Sequence, residues 1–230
     1  MVSASLNLLT GDLFRELETV LGKDITPERA VLTTSFSKED QLLTWAVLEA
    51  GLDVQLVSLD TGCLFPATQQ TWRATEHHFG IEIEALHPER KANGALSQFE
   101  GTASIYSSVE ARKSCCHLRK IEPLKKACAG KEWWLTGLRK AQSGNRSAMP
   151  KIEDAPDWGL KKFHPLLDWS DESLEAAVAM SGVPINPLYS MGYKSIGCAP
   201  CTRPVLPGED ARAGRWWWEQ SSKECGLHRG

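Results

Sequence analysis

The sequence predicts an α/β protein built on a doubly wound, mostly parallel sheet. Short strand-like runs alternate with segments of helical spacing between residues 29 and 169. The length of 230 residues is enough to bury a sizeable core without staples. The alternation stops after Asp168. We therefore expect a single domain, in which a core (29–169) follows an N-terminal helix (1–28) and precedes a coil-rich C-terminal arm (170–230).

The elements of this core are read from hydrophobic spacing. Apolar residues at helical intervals predict an amphipathic first helix over Leu6 to Leu21. The predicted core elements are strands over Ala30 to Ser35, Val54 to Leu59, Ile81 to Leu86, Lys131 to Gly137 and Leu160 to Leu166, and helices over Glu39 to Ala50, Pro66 to Gly80 and Cys116 to Ala129. These elements predict a sheet of five or six strands.

The predicted arm opens with a helix over Ser170 to Ser181 that has an acidic start. From Gly182 onward the sequence is rich in Pro, Gly, Cys and Trp and lacks clear periodicity. We therefore expect the arm to be held by something other than a hydrophobic core.

Composition and charge argue against several functional classes. A net charge of -3 without a polybasic cluster argues against nucleic-acid or membrane-surface binding. Charged residues interrupt the leucines between Met1 and Gly22, as a secretory signal would not allow. No run approaches the roughly 18 apolar residues of a membrane span. We expect a cytoplasmic protein.

Two pairs of cysteines give the strongest spacing signal. Cys115 and Cys116 are adjacent, and Cys198 and Cys201 form a C-x-x-C pair. Four thiolates in two pairs suit either a zinc ion or a four-cysteine iron–sulfur cluster. The adjacent pair favours the cluster, because zinc sites usually leave two to four residues between paired ligands. The alternative is two buried free cysteines plus an unrelated redox pair.

Three further cysteines lie outside these pairs. Cys63 and Cys128 have no partner at a useful spacing, and we assign them to packing. Cys225 lies near Lys223 and His228, whose positive charge would favour the nucleophilic thiolate. The alternative for Cys225 is an incidental cysteine close to the terminus.

Polar segments come directly after several predicted strands. Thr34 to Asp40 leaves the first strand and enters a helix, where backbone N–H groups favour an anion. Leu59 to Gly62 ends the second strand, and Gly137 to Arg146 leaves a later one. Because ligands of open parallel sheets bind at the carboxyl ends of strands, these segments favour a nucleotide, although ordinary helix caps are the alternative. Arg212 and Arg215 add guanidinium groups suited to phosphate or sulfate.

Several runs together resemble one family. They are SFSKED, LDTG, CCHLRKIEPL, GLRKAQSGNR, GCAPCTRPVLPGED and ECGLH, and they span roughly Thr33 to His228. This combination resembles the bacterial assimilatory, thioredoxin-dependent adenylyl-sulfate (APS) reductases. The resemblance implies the adenine-nucleotide hydrolase-like fold and the reduction of adenosine 5'-phosphosulfate to sulfite and AMP.

The resemblance also implies roles for the cysteines. Cys115, Cys116, Cys198 and Cys201 would hold one [4Fe-4S] cluster per chain. Cys225 would be the nucleophile that attacks the sulfate sulfur, leaving an S-sulfocysteine from which thioredoxin releases sulfite. Thioredoxin would supply both electrons, so the cluster would act through its charge and by anchoring the arm.

Substrate-binding residues are implied by matching the family's motifs. Those implied for the nucleotide are Ser35, Phe36, Ser37, Leu59 and Gly62. Those implied for the charged end of the substrate are Lys120, Arg139, Arg212, Arg215 and His228. A homo-oligomer is expected.

Two other functions compete with this one. The first is a PAPS reductase, which performs the same chemistry on a substrate with a 3'-phosphate. The second is an iron–sulfur or zinc protein that binds a partner without turnover. SFSKED also lacks the paired glycines of the pyrophosphate loop in related ATP-cleaving enzymes, which argues against ATP as substrate.

Overall fold

The computed structural model describes residues 2–89, 102–143 and 146–219. Its helices are α1 (Val2–Leu21), α2 (Lys38–Glu49), α3 (Pro66–Phe79), α4 (Val109–Cys116), α5 (Glu122–Cys128) and α6 (Asp171–Ser181). Its strands are β1 (Ala30–Thr33), β2 (Gln55–Leu59), β3 (Glu84–Leu86), β4 (Trp133–Leu135), β5 (Ile152–Ala155) and β6 (Leu160–Phe163). Within these ranges no helix is both long and apolar enough to cross a bilayer.

The strands form one six-stranded sheet in the order β3-β2-β1-β4-β6-β5. Every neighbouring pair is parallel except β5 and β6, which are antiparallel. The prediction of a doubly wound, mostly parallel sheet is therefore confirmed. Strand β5 was not predicted, because its short sequence IEDA is half charged and lies on an edge, where no buried apolar run is needed.

The order of the strands creates a crevice at one point. From β1 the chain moves outward to β2 and β3 and then returns to place β4 on the other side of β1. The strand order therefore reverses between β1 and β4. In open α/β sheets this reversal is where ligands bind, beyond the carboxyl ends of the strands.

Helices cover both faces of the sheet. On one face α1, α2 and α6 pack together around Leu17, Leu42 and Leu174, which are almost fully buried. On the other face α5 contributes Leu124 and Cys128 to a smaller core. Each fully buried leucine stabilises the fold by about 2 kcal/mol relative to exposure, so these layers fix the sheet that carries the crevice.

The helix predicted over Cys116 to Ala129 starts earlier than expected. Ser108 caps α4, and its hydroxyl accepts a hydrogen bond from the N–H of Ala111 at 3.1 Å. A π-helical turn over His117–Ile121 then joins α4 to α5. The cysteine pair therefore lies at the end of α4 rather than at the start of a helix, and the hydroxyl cap at Ser108 was the overlooked signal.

The arm after α6 consists mainly of turns and short 3-10 segments. An isolated bridge joins Thr202 to Arg215, and the N–H of Trp216 donates to the carbonyl of Cys201 at 3.2 Å. A third cluster of buried residues anchors the arm to α4 and contains Ile105, Cys116, Cys198, Cys201 and Trp216. A small cysteine–tryptophan cluster thus holds the arm in place of a broad hydrophobic core.

Candidate functional site

A cavity of about 560 Å³ opens at the crevice between β1 and β4. This volume lies within the usual range for small-molecule sites. Eight of the residues predicted to bind substrate line it, namely Ser35, Phe36, Ser37, Leu59, Lys120, Arg139, Arg212 and Arg215. The structure therefore gathers residues that are up to 180 positions apart in the sequence.

The loop that leaves β1 is fixed by the start of α2. The carboxylate of Asp40 accepts hydrogen bonds from the N–H and the hydroxyl of Ser35, both at 2.7 Å. Ser37 caps α2 and accepts from the N–H of Asp40 at 3.1 Å. Burial raises the pKa of Asp40, and the hydrogen bonds from Ser35 oppose this rise.

Phe36 adopts a left-handed backbone conformation in this loop. Its φ is +60°, which is uncommon for a residue other than glycine. Its side chain is buried against Trp72, with ring centroids 5.2 Å apart. A packed aromatic residue thus occupies a turn position where glycine is the usual choice.

The loop that leaves β4 passes very close to the same helix. A Cβ atom on Gly137 would overlap the carboxylate of Asp40 and lie 3.0 Å from the Cβ of Glu39. Only glycine fits this approach without moving Asp40. Gly137 therefore brings the β1 and β4 loops together at the floor of the cavity.

Arg139 reaches the cavity already paired with carboxylates. Its side chain is 5% exposed and donates to Glu39 at 3.0 and 2.9 Å and to Asp171 at 2.7 Å. A fourth hydrogen bond reaches the carbonyl of Trp169 at 3.0 Å. Burial acts to lower the pKa of Arg139, and the two carboxylates outweigh burial and raise it. Arg139 is therefore held rigidly and largely neutralised.

A second, smaller cavity adjoins the first. All four paired cysteines line it, together with Cys63. Its walls also carry four cationic side chains, those of Arg112, Arg119, Lys120 and Arg215. Among the described residues no carboxylate lines it. This second cavity, which we call the cysteine cavity, is suited to a group of net negative charge.

The thiols of the cysteine cavity differ in acidity. Burial raises the pKa of Cys115, and burial together with Cys198 raises that of Cys201 to about 12. Burial opposes ionisation of Cys198 too, but Lys120 and a contact of 3.3 Å with the hydroxyl of Thr61 outweigh it and lower the pKa. Compared with Cys115 and Cys201, Cys198 is thus the thiol whose surroundings favour the thiolate.

The described cysteines are all free thiols. Within the described ranges, no three His, Cys, Asp or Glu side chains are arranged to hold a single metal ion. A four-iron cluster differs from a single ion because each thiolate binds a separate iron. The donor set of four cysteines, arranged as two pairs across one cavity, is compatible with such a group.

Trp216 provides an independent test of that fit. Its indole is almost fully buried between two guanidiniums, with those of Arg112 and Arg215 at 4.5 and 4.7 Å from the ring centroid. The residue lines the cysteine cavity, and its buried Nε1–H has no hydrogen-bond partner among the described residues. A buried donor without an acceptor is costly, and the sulfur atoms of a cluster would be acceptors. The residues present therefore fit an iron–sulfur cluster.

The remaining predicted residues have varied positions. Gly62 has a φ of +69° and donates its N–H to Asp60 at 3.0 Å, but it lies just outside the lining of the larger cavity. Cys63 is half-buried and lines the cysteine cavity, whereas Cys128 is buried under the sheet in the smaller core. Cys225 and His228 lie outside the described residues.

Some residues of this region carried no assignment from sequence. Glu39 and Asp40 belong to the quoted SFSKED run, and their position at the start of a helix could have identified them as residues of the site. Thr61 belongs to the quoted LDTG run, although its contact with Cys198 was not predicted. Arg112 had no signal, because its partner Glu219 lies 107 positions away.

The sheet order, the crevice and the lining of its cavity define a class of protein, the adenine-nucleotide hydrolase-like α/β proteins. A solved phosphoadenylyl-sulfate (PAPS) reductase from Candida auris shares the fold at a TM-score of 0.63 and 24% identity, covering 81% of this chain and 94% of its own. An FMN adenylyltransferase from Candida glabrata shares it at a TM-score of 0.60 and 15% identity, covering 94% and 72%. The predicted fold class is confirmed.

Sequence comparison then identifies the family. Residues 29–204 match the phosphoadenosine phosphosulfate reductase domain, and the chain belongs to that family. The adenosine 5'-phosphosulfate reductase of Agrobacterium fabrum is 49% identical over 87% of this chain and 77% of its own length. That of Allochromatium vinosum is 42% identical over 99% and 85%. The resemblance seen in the sequence motifs is confirmed.

Proposed function

We propose that this protein reduces adenosine 5'-phosphosulfate to sulfite and AMP with electrons from thioredoxin, in assimilatory sulfate reduction. One observation carries the proposal. The nucleotide-sized cavity at the β1/β4 crevice adjoins the cysteine cavity, and Lys120, Cys198 and Arg215 line both. The names of the relatives, adenosine 5'-phosphosulfate reductases, support the same substrate.

The two ends of the substrate meet different surroundings in this proposal. The loop containing Ser35, Phe36 and Ser37 would hold the nucleotide together with Leu59. Lys120 and Arg215 would lie against the sulfate, where their charge offsets the negative oxygens that shield the sulfur. Arg212 adds a further cation to the same cavity. A thiolate is itself an anion, so its attack on the sulfate sulfur requires that the charge of the sulfate oxygens be neutralised.

The first chemical step is a transfer to Cys225. Its thiolate attacks the sulfate sulfur, an S–S bond forms, and the bond between that sulfur and the bridging phosphate oxygen breaks. AMP leaves with the electron pair, and the enzyme keeps an S-sulfocysteine. No external electron enters in this step.

The second step consumes the reducing equivalents. One thiolate of reduced thioredoxin attacks the sulfur of Cys225, and sulfite leaves with the electron pair of the S–S bond. The second thioredoxin thiol then resolves the mixed disulfide and returns the Cys225 thiolate. Two electrons pass from thioredoxin to sulfur in each turnover.

Cys115, Cys116, Cys198 and Cys201 would hold a [4Fe-4S] cluster in the cysteine cavity. When bound, it would link α4 covalently to the arm and supply a fixed charge beside Lys120. The Nε1–H of Trp216 would gain an acceptor. The role of the cluster in this proposal is structural and electrostatic, since thioredoxin accounts for both electrons.

The lining of the larger cavity carries both charges, and its carboxylates Glu39, Asp171 and Glu175 are paired with Arg139 or Lys38. The preference for APS over PAPS is supported by the names of the relatives, which are adenosine 5'-phosphosulfate reductases. We therefore expect a higher kcat/KM for APS with one thioredoxin. Equal values, or a preference for PAPS, would contradict the substrate assignment and leave the thiosulfonate steps unaffected.

The test of the proposed function is an anaerobic assay of the purified protein. With APS and reduced thioredoxin, AMP and sulfite should be released in equal amounts. Without thioredoxin, AMP release should stop after one equivalent per chain. A protein that binds APS but releases neither product would contradict the proposed function and favour the non-catalytic alternative.

A further inference from the structure

A buried ion pair joins the helix of the cysteine pair to the last described residue of the arm. Arg112 donates from Nε to Oε1 of Glu219 at 2.8 Å and from its terminal nitrogen to Oε2 at 2.7 Å. The two side chains are 1% and 2% exposed. The pair spans 107 positions of sequence.

Both partners have further contacts with the cysteine cavity. Arg112 lies one turn before Cys116 on α4, interacts with that thiol and stacks on the ring of Trp216. The N–H of Glu219 donates to the carbonyl of Trp216 at 2.9 Å. The ion pair therefore closes a ring of contacts around the indole and attaches the end of the arm to α4.

Stability alone does not explain why this pair is buried. Removing two charges from water costs several kcal/mol per ion, and an apolar pair of similar volume is often as stable. A bidentate arginine–carboxylate pair does, however, fix the position and direction of the backbone that carries it. The geometry thus suits a role in positioning the residues after Glu219.

We propose that the Arg112–Glu219 ion pair is a positioning device that anchors the root of the C-terminal segment beside the two cavities, so that Cys225 reaches the sulfate. This inference rests on the proposed function. Cys225 lies six positions after Glu219, and six peptide units span at most about 21 Å. Fixing Glu219 therefore keeps Cys225 within about 21 Å of the anchor, whatever path the segment takes.

Two variants separate anchoring from folding. Glu219→Gln removes the charge and weakens the anchor while preserving shape. Inserting six Gly and Ser residues directly after Glu219 leaves the ion pair intact but doubles the segment that leads to Cys225. Glu209→Gln is the matched control, because Glu209 forms a bidentate pair with Arg203 in the same arm, at 2.9 Å for both contacts.

The measurement is the rate of S-sulfonation in a single turnover with APS and no thioredoxin, followed by intact mass. We expect this rate to fall about tenfold in Glu219→Gln, because the Cys225 thiolate would no longer approach the sulfur in a fixed orientation. The insertion should lower the rate about threefold, because effective concentration falls as roughly the −3/2 power of tether length. AMP affinity and iron content should stay within twofold, and Glu209→Gln should match the wild type.

A second readout does not need the reaction. Trypsin cleavage after Lys223 should become several-fold faster in Glu219→Gln and in the insertion variant, and should be unchanged in Glu209→Gln. Wild-type rates in both test variants, by both readouts, would overturn the inference. A wild type that forms no adduct would reject the proposed function instead, and proteolysis would then decide alone whether the ion pair fixes the segment.

Discussion

Arg139 and Glu39 form a two-point ion pair in which Nε and a terminal nitrogen of the arginine donate to one carboxylate oxygen, at 3.0 and 2.9 Å. The pair joins the loop after β4 to the first turn of α2. It lies in the wall of the cavity at the carboxyl edge of the sheet. The two loops that form the crevice are thus locked to each other by charge as well as by the close approach of Gly137.

Glu39 and Asp171 differ in burial, and this difference predicts unequal losses of stability when each is substituted. Glu39 is 10% exposed and Asp171 is 73% exposed, although both contact Arg139. Glu39→Gln should lower the free energy of unfolding by about 2–4 kcal/mol, because it leaves a buried guanidinium poorly compensated. Asp171→Asn should cost less than about 1 kcal/mol, as expected for an exposed partner. Urea unfolding of both variants measures the difference, and equal losses would contradict this view of the network.

Gly137 should be intolerant of a side chain for a local reason. Gly137→Ala forces Asp40 away from Ser35 and so disturbs the loop that lines the larger cavity. We expect AMP affinity to fall about tenfold, equivalent to about 1.4 kcal/mol. Gly11→Ala is the control, since a Cβ there meets nothing closer than Arg15 at 3.8 Å. Calorimetric titration with AMP tests this, and an unchanged affinity in Gly137→Ala would disprove the close approach.

His164 makes stability depend on pH. It is fully buried, and its Nδ1 lies 2.6 Å from the hydroxyl of Thr136, which lines the larger cavity. Burial lowers the pKa of His164 from 6.5 to about 4. The unfolded state therefore binds the proton more readily, so the stability contributed by neutral His164 is complete above pH 6.5 and is lost as the pH falls toward 4.

Urea unfolding at pH 7 and pH 5 measures this loss, which should be about 2 kcal/mol greater in wild type than in His164→Asn. His77→Asn, on the exposed face of α3, should show the same loss of unfolding free energy between the two pH values as the wild type. An equal loss in His164→Asn and wild type would show that His164 is not the group responsible.

The cysteine pairs should act together as ligands of one cluster. Cys198→Ser should lose iron and the brown colour of anaerobically purified protein, and with them activity. Cys128→Ser is the matched control, because Cys128 is also buried but lies under the sheet, away from the cysteine cavity. Iron analysis and absorption spectra measure the outcome. A colourless, zinc-loaded wild type that still produced sulfite would show that no cluster is needed.

The sequence predicted the sheet well because local patterns encode it. The buried strands β1 and β2 are short β-rich runs, and α3 ends at Gly80, which takes the left-handed conformation of a helix cap. Gathering Ser35, Leu59 and Arg139 at one cavity also agrees with the rule that strand ends meet at one edge of the sheet, whereas Arg215 reaches the cavity from the arm.

Long-range pairing could not be predicted in the same way. The pairing of Arg112 with Glu219, and of Arg139 with Glu39, depends on contacts between segments about 100 positions apart. The resemblance assigned Arg139 to the substrate because it matches the arginine after the GL pair of the family's motif, and the sequence does not show its carboxylate partners. Only the folded chain shows that its charge is already compensated.

The central claim is that Cys225 carries the sulfonate between APS and thioredoxin. The most direct test is peptide mass analysis of protein incubated with APS in the absence of thioredoxin. We predict the mass of one SO₃ group on the Cys225 peptide, its release as sulfite when reduced thioredoxin is added, and no adduct in Cys225→Ser protein that still binds APS. An adduct on Cys63 or Cys128, or sulfite production by Cys225→Ser, would contradict this claim.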